Sequence, residues 1–248
     1  MKRSANTDLV YGIRPVIEAI RSGKELDSVL IKKGLSGELY SELKELLRER
    51  GIRSQLVPAE RFGQFGNKNH QGVVAYLSPI DFQPIEEVVA GVWDKGQWPF
   101  LLMVDRITDV RNFGAIVRTA ECAGVHAVVF VAKGSARIGS DAIKTSAGAL
   151  HHMTICRVNS LRSTIRFLQN SGIKVIAASE KAPKTYSQAM LKPPIALVLG
   201  SEDVGVSAEV LKIVDDMVSI PIKGNVQSLN VSVAAGILVY EAVRQQGI

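Results

Sequence analysis

Three short stretches hold the polar residues that could do chemistry, and each follows an apolar run that reads as a buried strand. In 104–124 (VDRITDVRNFGAIVRTAECAG), Asn112 can cap a helix over Ala115–Ala123, Gly114 allows close backbone approach, and Arg118 follows within two turns. Arg118 is flanked by Ile116, Val117, Ala120 and Ala123. A planar guanidinium on so apolar a helix calls for a phosphate or a carboxylate, and a structural ion pair would serve it equally. In 195–207 (IALVLGSEDVGVS), Gly200 lets a flat ligand approach the strand end and Glu202 stands at the carboxyl edge; a helix cap ahead of Ser207 is the plainer reading. In 219–242, the turn Lys223-Gly224-Asn225 leads to Ser228 and Asn230, two polar residues at the start of an apolar helix. As helix caps they need no further function.

The elements around these residues follow a simple alternation. Strands are expected at 99–105, 127–132, 153–158, 174–179, 195–200 and 217–222. Helices are expected over Ala115–Ala123, Ser140–Gly148, Leu161–Gly172, Ser207–Asp215 and Val231–Gln246. The strands are continuous β-branched and aliphatic runs, which signals burial on both faces and hence a parallel sheet covered by helices. Ligands of such sheets bind beyond the carboxyl ends of the strands, where all three polar stretches fall.

The first third of the chain reads as a smaller α/β unit. Pro15 opens a helix over 14–22, 28–32 is a short strand, and Leu39, Leu43, Leu46 and Leu47 form one stripe of a helix over Leu39–Arg50 that Gly51 ends. Residues 54–57 and 73–76 are further strands, separated by a polar, glycine-rich loop. We expect an N-terminal unit at 1–78, a linker at 79–98 rich in proline and glycine, and a second unit at 99–248.

Composition agrees with a folded α/β protein: 248 residues, 46% apolar and 22% charged. No apolar run reaches the roughly 20 residues of a membrane helix. The opening MKRSANTDLVYGIRP lacks the apolar stretch of a secretory signal. Cys122 and Cys156 cannot make a disulfide framework, and no Cys/His cluster has zinc spacing, so a cytoplasmic, metal-free protein is expected. Residues 1–80 hold 13 basic and 9 acidic residues, the larger share of the overall +6. That bias suits a polyanion-binding module, for which Arg14, Lys32, Lys33, Lys68 and Asn69 are candidate phosphate contacts. The absence of G-x-G-x-x-G argues against a nucleotide-dependent dehydrogenase.

The ordered set N112-F-G-A-I-V-R118, L199-G-S-E202-D-V-G205 and I220-P-I-K-G224-N-V-Q-S228-L-N230-V-S-V-A234 resembles the SpoU/TrmH family of RNA ribose 2′-O-methyltransferases, in the SPOUT superfamily. The N-terminal G12-x-x-P-V-x-E-A-I20 and H70-Q-G-V-V74 are similar to the ribosomal protein L30e-like substrate domain of the branch acting on guanosine in large-subunit rRNA. Two positions depart from the family pattern: Val110 stands where proline is common, and Asp203 where glycine follows the glutamate. The resemblance implies a C-terminal trefoil knot that makes an S-adenosylmethionine pocket from the backbone around Gly200, Ile220 and Leu229. It implies a homodimer, with Arg118 as the central catalytic residue and Asn112, Glu202, Ser228 and Asn230 assembling its site. It also implies an rRNA substrate, free or in a ribosomal assembly intermediate. A tRNA methyltransferase of the same family and a non-catalytic RNA-binding protein on the same fold are the competing readings.

Overall fold

The computed structural model describes residues 9–131, 135, 138–226 and 228–247. Ala132, at the end of one expected strand, and Gln227, within the third motif, lie outside the described residues. The chain forms two compact units, dividing chiefly between Asp81 and Phe82.

The first unit comprises β1 (Leu9–Tyr11), α1 (Ile13–Arg21), β2 (Leu26–Lys32), α2 (Glu38–Glu49), β3 (Arg53–Val57) and β4 (Val73–Leu77). Its sheet has the order β1-β4-β2-β3, with β2 and β3 parallel and the other pairs antiparallel. Pro15 lies in the first turn of α1, where its missing N–H would have had no helical partner anyway. Val16, Ile17 and Ile20 of α1 and Leu43 and Leu47 of α2 are buried in one core with Leu26, Val29 and Val73. Leu39, expected on the same stripe, is 37% exposed in the first turn of α2. Gly51, at φ 60°, closes α2 as expected: Ile52 N–H bonds to Leu47 O and Gly51 N–H to Arg48 O. The loop between β3 and β4 is less irregular than its glycines suggest, because a 3-10 turn over Ala59–Phe65 buries Phe62.

The second unit comprises α3 (Ile85–Asp94), β5 (Phe100–Asp105), α4 (Val110–Cys122), β6 (Ala127–Val131), α5 (Ser140–Thr145), β7 (Ile155–Val158), α6 (Leu161–Asn170), β8 (Lys174–Ala178), β9 (Ile195–Gly200), α7 (Ala208–Leu211), β10 (Asp216–Val218) and α8 (Val231–Gln246). All strand pairs are parallel, in the order β10-β8-β9-β5-β6-β7. Every residue of β5 is buried. Full burial of each of Leu101, Leu102 and Met103 contributes about 1.5–3 kcal/mol. From β5 the chain moves outward through β6 to β7, then returns so that β9 pairs with β5 on its other side. The carboxyl ends of β5 and β9 therefore flank the switch point, where open α/β sheets form their crevice.

Several boundaries differ from expectation for identifiable reasons. The stretch read as a linker contains α3, whose Ile85, Val89 and Val92 are buried. Helix α4 starts five residues earlier than Ala115, because Asp109 caps it by accepting Arg111 N–H at 2.6 Å. The strand expected at 217–222 stops at Val218, short of Pro221, which has no N–H to give a ladder. The α7 helix is limited to 208–211, and α5 ends at Thr145, before Ala147 and Gly148 take positive φ angles of 51° and 87°.

Helix α8 is fastened by a polar cluster. Glu241, 9% exposed, receives Arg244 Nε at 2.8 Å, Arg244 Nη2 at 2.7 Å and Gln245 Nε2 at 2.9 Å. Gln245 also donates to Ala189 O and accepts Leu191 N–H, which ties α8 to the segment before β9. Among the described residues no helix is long and apolar enough to cross a membrane, and no group of three or more His, Cys, Asp or Glu could hold a metal ion.

Candidate active site

Glycine shapes the backbone on both sides of the switch point. A Cβ on Gly200 would lie 1.9 Å from the carbonyl carbon of Gly205, because the loop after β9 folds straight back across the strand end. That return is closed by Gly205 N–H to Ser201 O at 2.8 Å, with Gly205 at φ 68°. Ser207 N–H then bonds to Asp105 Oδ2 at 2.8 Å, fixing the end of the loop to the end of β5. In α4, a Cβ on Gly114 would sit 2.1 Å from Thr145 Oγ1, so the close approach expected there is an approach to α5.

The loop after β9 delivers Glu202, and α4 delivers Asn112 from its first turn. Both meet Asn230, the residue that caps α8. Asn230 Nδ2 donates to Glu202 Oε1 at 2.5 Å and to Asn112 Oδ1 at 3.0 Å. Its Oδ1 accepts Ser232 N–H at 2.9 Å and Ser232 Oγ–H at 2.5 Å. These contacts fix the amide: an oxygen that takes two bonds from Ser232 leaves the NH₂ to face two acceptors. Asn230 is thus a cap, as expected, and also the hub of a cluster drawn from three separate strand-end stretches. Glu202 is not a cap for Ser207, and Asn112 is not the cap of α4.

Arg118 is exposed and makes no ion pair or hydrogen bond with any described residue. Of the two partners its type calls for, a carboxylate of this chain is not found among the described residues, which leaves the phosphate. Residues six apart on a helix differ by about 120° in azimuth, so Arg118 lies on a different face from Asn112, in line with Arg111. The structure therefore brings together Asn112, Glu202 and Asn230, and leaves Arg118 free at the solvent side of α4. Ser228 is exposed and hydrogen-bonds no other described residue. Gly200 and Ile220 are half-buried, and Leu229 is 37% exposed on a segment that also shows Ile222 at 41% and Val226 at 73%.

Sequence reasoning passed over Asp105, Asp109 and Ser232. Asp109 carried a signal, an aspartate just before an apolar helix; Ser232 carried none that separates it from any other serine in a first turn.

In the first unit, Arg14, Lys32, Lys33, Lys68 and Asn69 are all exposed. Local contacts bring their backbones to one end of the sheet: Gly12 N–H bonds to Val73 O, Lys32 N–H to Gly72 O, and a Cβ on Gly12 would touch Asn69 O at 3.5 Å. Lys68 Nζ lies 5.9 Å from the centre of the Tyr11 ring.

The SpoU rRNA Methylase family model matches residues 99–240, and the RNA 2′-O ribose methyltransferase substrate binding model matches 9–83. The chain is 35% identical to the 23S rRNA (guanosine-2′-O-)-methyltransferase RlmB of Photorhabdus laumondii, over 97% of this chain and 99% of that one. It is 33% identical to RlmB of Escherichia coli (strain K12), again over 97% and 99%. The SpoU methyltransferase AviRb of Streptomyces viridochromogenes, solved in complex with AdoMet, shares the fold with a TM-score of 0.61 and 24% identity, covering 96% of this chain and 90% of that one.

Proposed function

The chain belongs to the SpoU rRNA methylase family, and we propose that it transfers a methyl group from S-adenosylmethionine to the ribose 2′-hydroxyl of a guanosine in large-subunit (23S) rRNA. The observation that carries this reading is the convergence of Asn112, Glu202 and Asn230 on one hydrogen-bonded cluster at the carboxyl edge of β5 and β9. The match of the first unit to a substrate-binding model and the near full-length likeness to RlmB favour rRNA over tRNA.

The residues present suit a methyl donor of this kind. Gly200 leaves no side chain at the strand end, and Ile222, Val226 and Leu229 offer apolar surface beside exposed backbone, which is what an adenine ring needs. The backbone at Gly200, Ile220 and Leu229 would hold the donor, which supplies an electrophilic sulfonium methyl. In this reading the segment after β9 forms the trefoil knot of the family.

The chain's own residues position the acceptor. An in-line displacement needs the 2′-oxygen held near 3 Å from the methyl carbon and relieved of its proton. Glu202 and Asn112 lock Asn230, and with it the start of α8, so Asn230 sets the geometry and the exposed hydroxyl of Ser228, two residues earlier, is the group free to meet the ribose. Arg118 is a poor base, since a guanidinium side chain is not deprotonated in proteins. Its free fork instead binds an RNA phosphate and orients the ribose. The cations gathered in the first unit add a salt-sensitive hold on RNA. Exposed Val233 (50%) and Tyr240 (51%) on α8 suit the homodimer of the family. An rRNA substrate suits a protein that works in the cytoplasm, and no step of this reading calls for a metal.

The test is mass mapping of ribose methylation in rRNA from cells lacking this chain, paired with methyl transfer by the purified protein to rRNA, to assembly intermediates and to tRNA. Loss of one guanosine 2′-O-methyl mark, restored by the protein, is the expected result. Transfer to tRNA alone, or to no RNA while S-adenosylmethionine still binds, overturns it.

A further inference from the structure

Arg106, the residue after β5, holds a conformation that L side chains rarely adopt, with φ at 58°. Its guanidinium folds back toward the strand end, where Nε lies 3.3 Å from Asp105 Oδ1. Neither Nε nor Nη2 donates a hydrogen bond, although both atoms are buried. The side chain is nevertheless 43% exposed, so its exposure falls on the remaining atoms. Strained backbone and orphaned donors both oppose stability, and their coincidence on one residue at a ligand crevice points to a ligand-dependent role.

The position is specific. Asp105 pairs with Gly200 in the β5–β9 register, so Arg106 leaves the sheet beside Ser201 and Glu202. Carboxylates gather along this edge: Asp105, Asp109, Glu202 and Asp203. An RNA backbone arriving here needs cations nearby, and Arg111 and Arg118 lie farther along α4. No hydrogen bond holds the Arg106 guanidinium in its inward orientation. Turning it outward gives up the 3.3 Å ion pair with Asp105 but no hydrogen bond, and Asp105 keeps its bond from Ser207 N–H.

We propose that Arg106 is a second phosphate-binding arginine of the substrate site, turning outward to grip a non-bridging oxygen of the RNA backbone through its Nε–Nη2 edge. The proposal rests on the RNA methyltransferase reading and extends it by a residue outside the three motifs. Binding relieves the orphaned donors, because a charge-assisted, two-pronged bond to phosphate takes the place of a single ion pair that satisfies neither donor with a hydrogen bond.

The test compares the full-length protein with Arg106→Gly and Arg106→Lys. Glycine adopts φ 58° without strain, so loss of folding does not confound the result. Binding to a large-subunit rRNA transcript is measured across a salt series, S-adenosylmethionine binding by calorimetry, and KM and kcat by methyl transfer. Arg106→Gly is expected to weaken RNA binding by about ten-fold or more and to lower the salt slope by roughly 0.7–0.9. Cofactor affinity stays unchanged. Arg106→Lys keeps the salt slope and recovers part of the affinity. Wild-type RNA affinity and salt slope in Arg106→Gly overturn the proposal. So does a selective loss of cofactor affinity, which would assign the guanidinium to the carboxylate of the methyl donor. A wild-type protein that binds RNA without methylating it refutes the function above, while the binding comparison still judges Arg106.

Discussion

Asn230 Nδ2 lies 2.5 Å from Glu202 Oε1, a bond that joins the cap of α8 to the loop leaving β9. The same nitrogen reaches Asn112 on α4, so a single amide links the three stretches that follow β5, β9 and β10. Because both of its atoms are committed, Asn230 sets geometry for its neighbours more than it offers free valences of its own.

Replacing Asn230 by alanine removes the cap bond to Ser232 N–H and frees Glu202. Stability should fall by about 1 kcal/mol, the ordinary cost of a lost cap, while methyl transfer falls far more. Ser232→Ala separates the two effects. The backbone cap bond survives, but the Oγ–H that orients the amide is gone. We expect kcat to drop with cofactor affinity unchanged, and Ser232→Thr to restore it. Wild-type kcat in Ser232→Ala would show that the amide needs no such orientation.

Gly200→Ala places a methyl group 1.9 Å from the Gly205 carbonyl carbon. Both partners are backbone, so the loop must move as a whole. A destabilisation of about 1–3 kcal/mol follows from the overpacking, and the displaced loop withdraws Glu202 from Asn230. Denaturant unfolding and cofactor calorimetry should both register the change, whereas Gly224→Ala, which meets no atom within 4 Å, should leave stability near wild type.

The parallel sheet was legible because β5 and β9 are unbroken apolar runs, and only strands covered on both faces tolerate that. The spatial meeting of Asn112, Glu202 and Asn230 was not readable from their spacing, since it depends on β9 inserting beside β5. The α3 helix was hidden by Pro79, Pro84, Gly91 and Gly96, which mimic a linker although Ile85, Val89 and Val92 carry a helical stripe. Asn112 was mistaken for a cap because Asp109 competes for the same role three residues earlier, and propensity does not rank the two. Arg118 looked enclosed by its neighbours in sequence. The buried face of α4 is instead formed by Phe113, Ile116, Val117 and Ala120, which leaves residue 118 outside. The three residues of β1 are too few for a period-two pattern to show.

Acid should loosen α8. The Arg244 fork first, and the Gln245 amide second, hold the Glu241 carboxyl down at about 2 against an ordinary 4.5. A depressed folded-state pKa contributes stability that is complete above pH 4.5 and is lost as pH falls toward 2. Asp216 adds in the same direction: burial pushes its pKa up, but the hydrogen bonds from Lys184 and Lys174 prevail and the net shift is down. The urea midpoint of the wild type should therefore fall steeply between pH 4.5 and 2. Glu241→Gln should start lower at neutral pH and fall less over that range. Parallel curves for the two proteins would remove Glu241 from the account.

Arg118→Lys tests what an unpaired guanidinium on the solvent face of α4 is for. Lysine keeps the positive charge and the helix propensity, so neither fold nor long-range attraction to RNA should change much. What disappears is the planar pair of donors that fixes a phosphate in two directions. If Arg118 orients the ribose through such a phosphate, turnover should drop by about a hundred-fold, the range seen when a reacting group is misplaced by an ångström, while cofactor affinity stays at wild type. Raising the pH should not rescue the variant, as it would if the side chain served as a base and lysine, with its lower pKa, took over that role. Equal losses in turnover and cofactor affinity would instead make Arg118 part of the pocket wall. A recovery of rate at alkaline pH would return the proton to it.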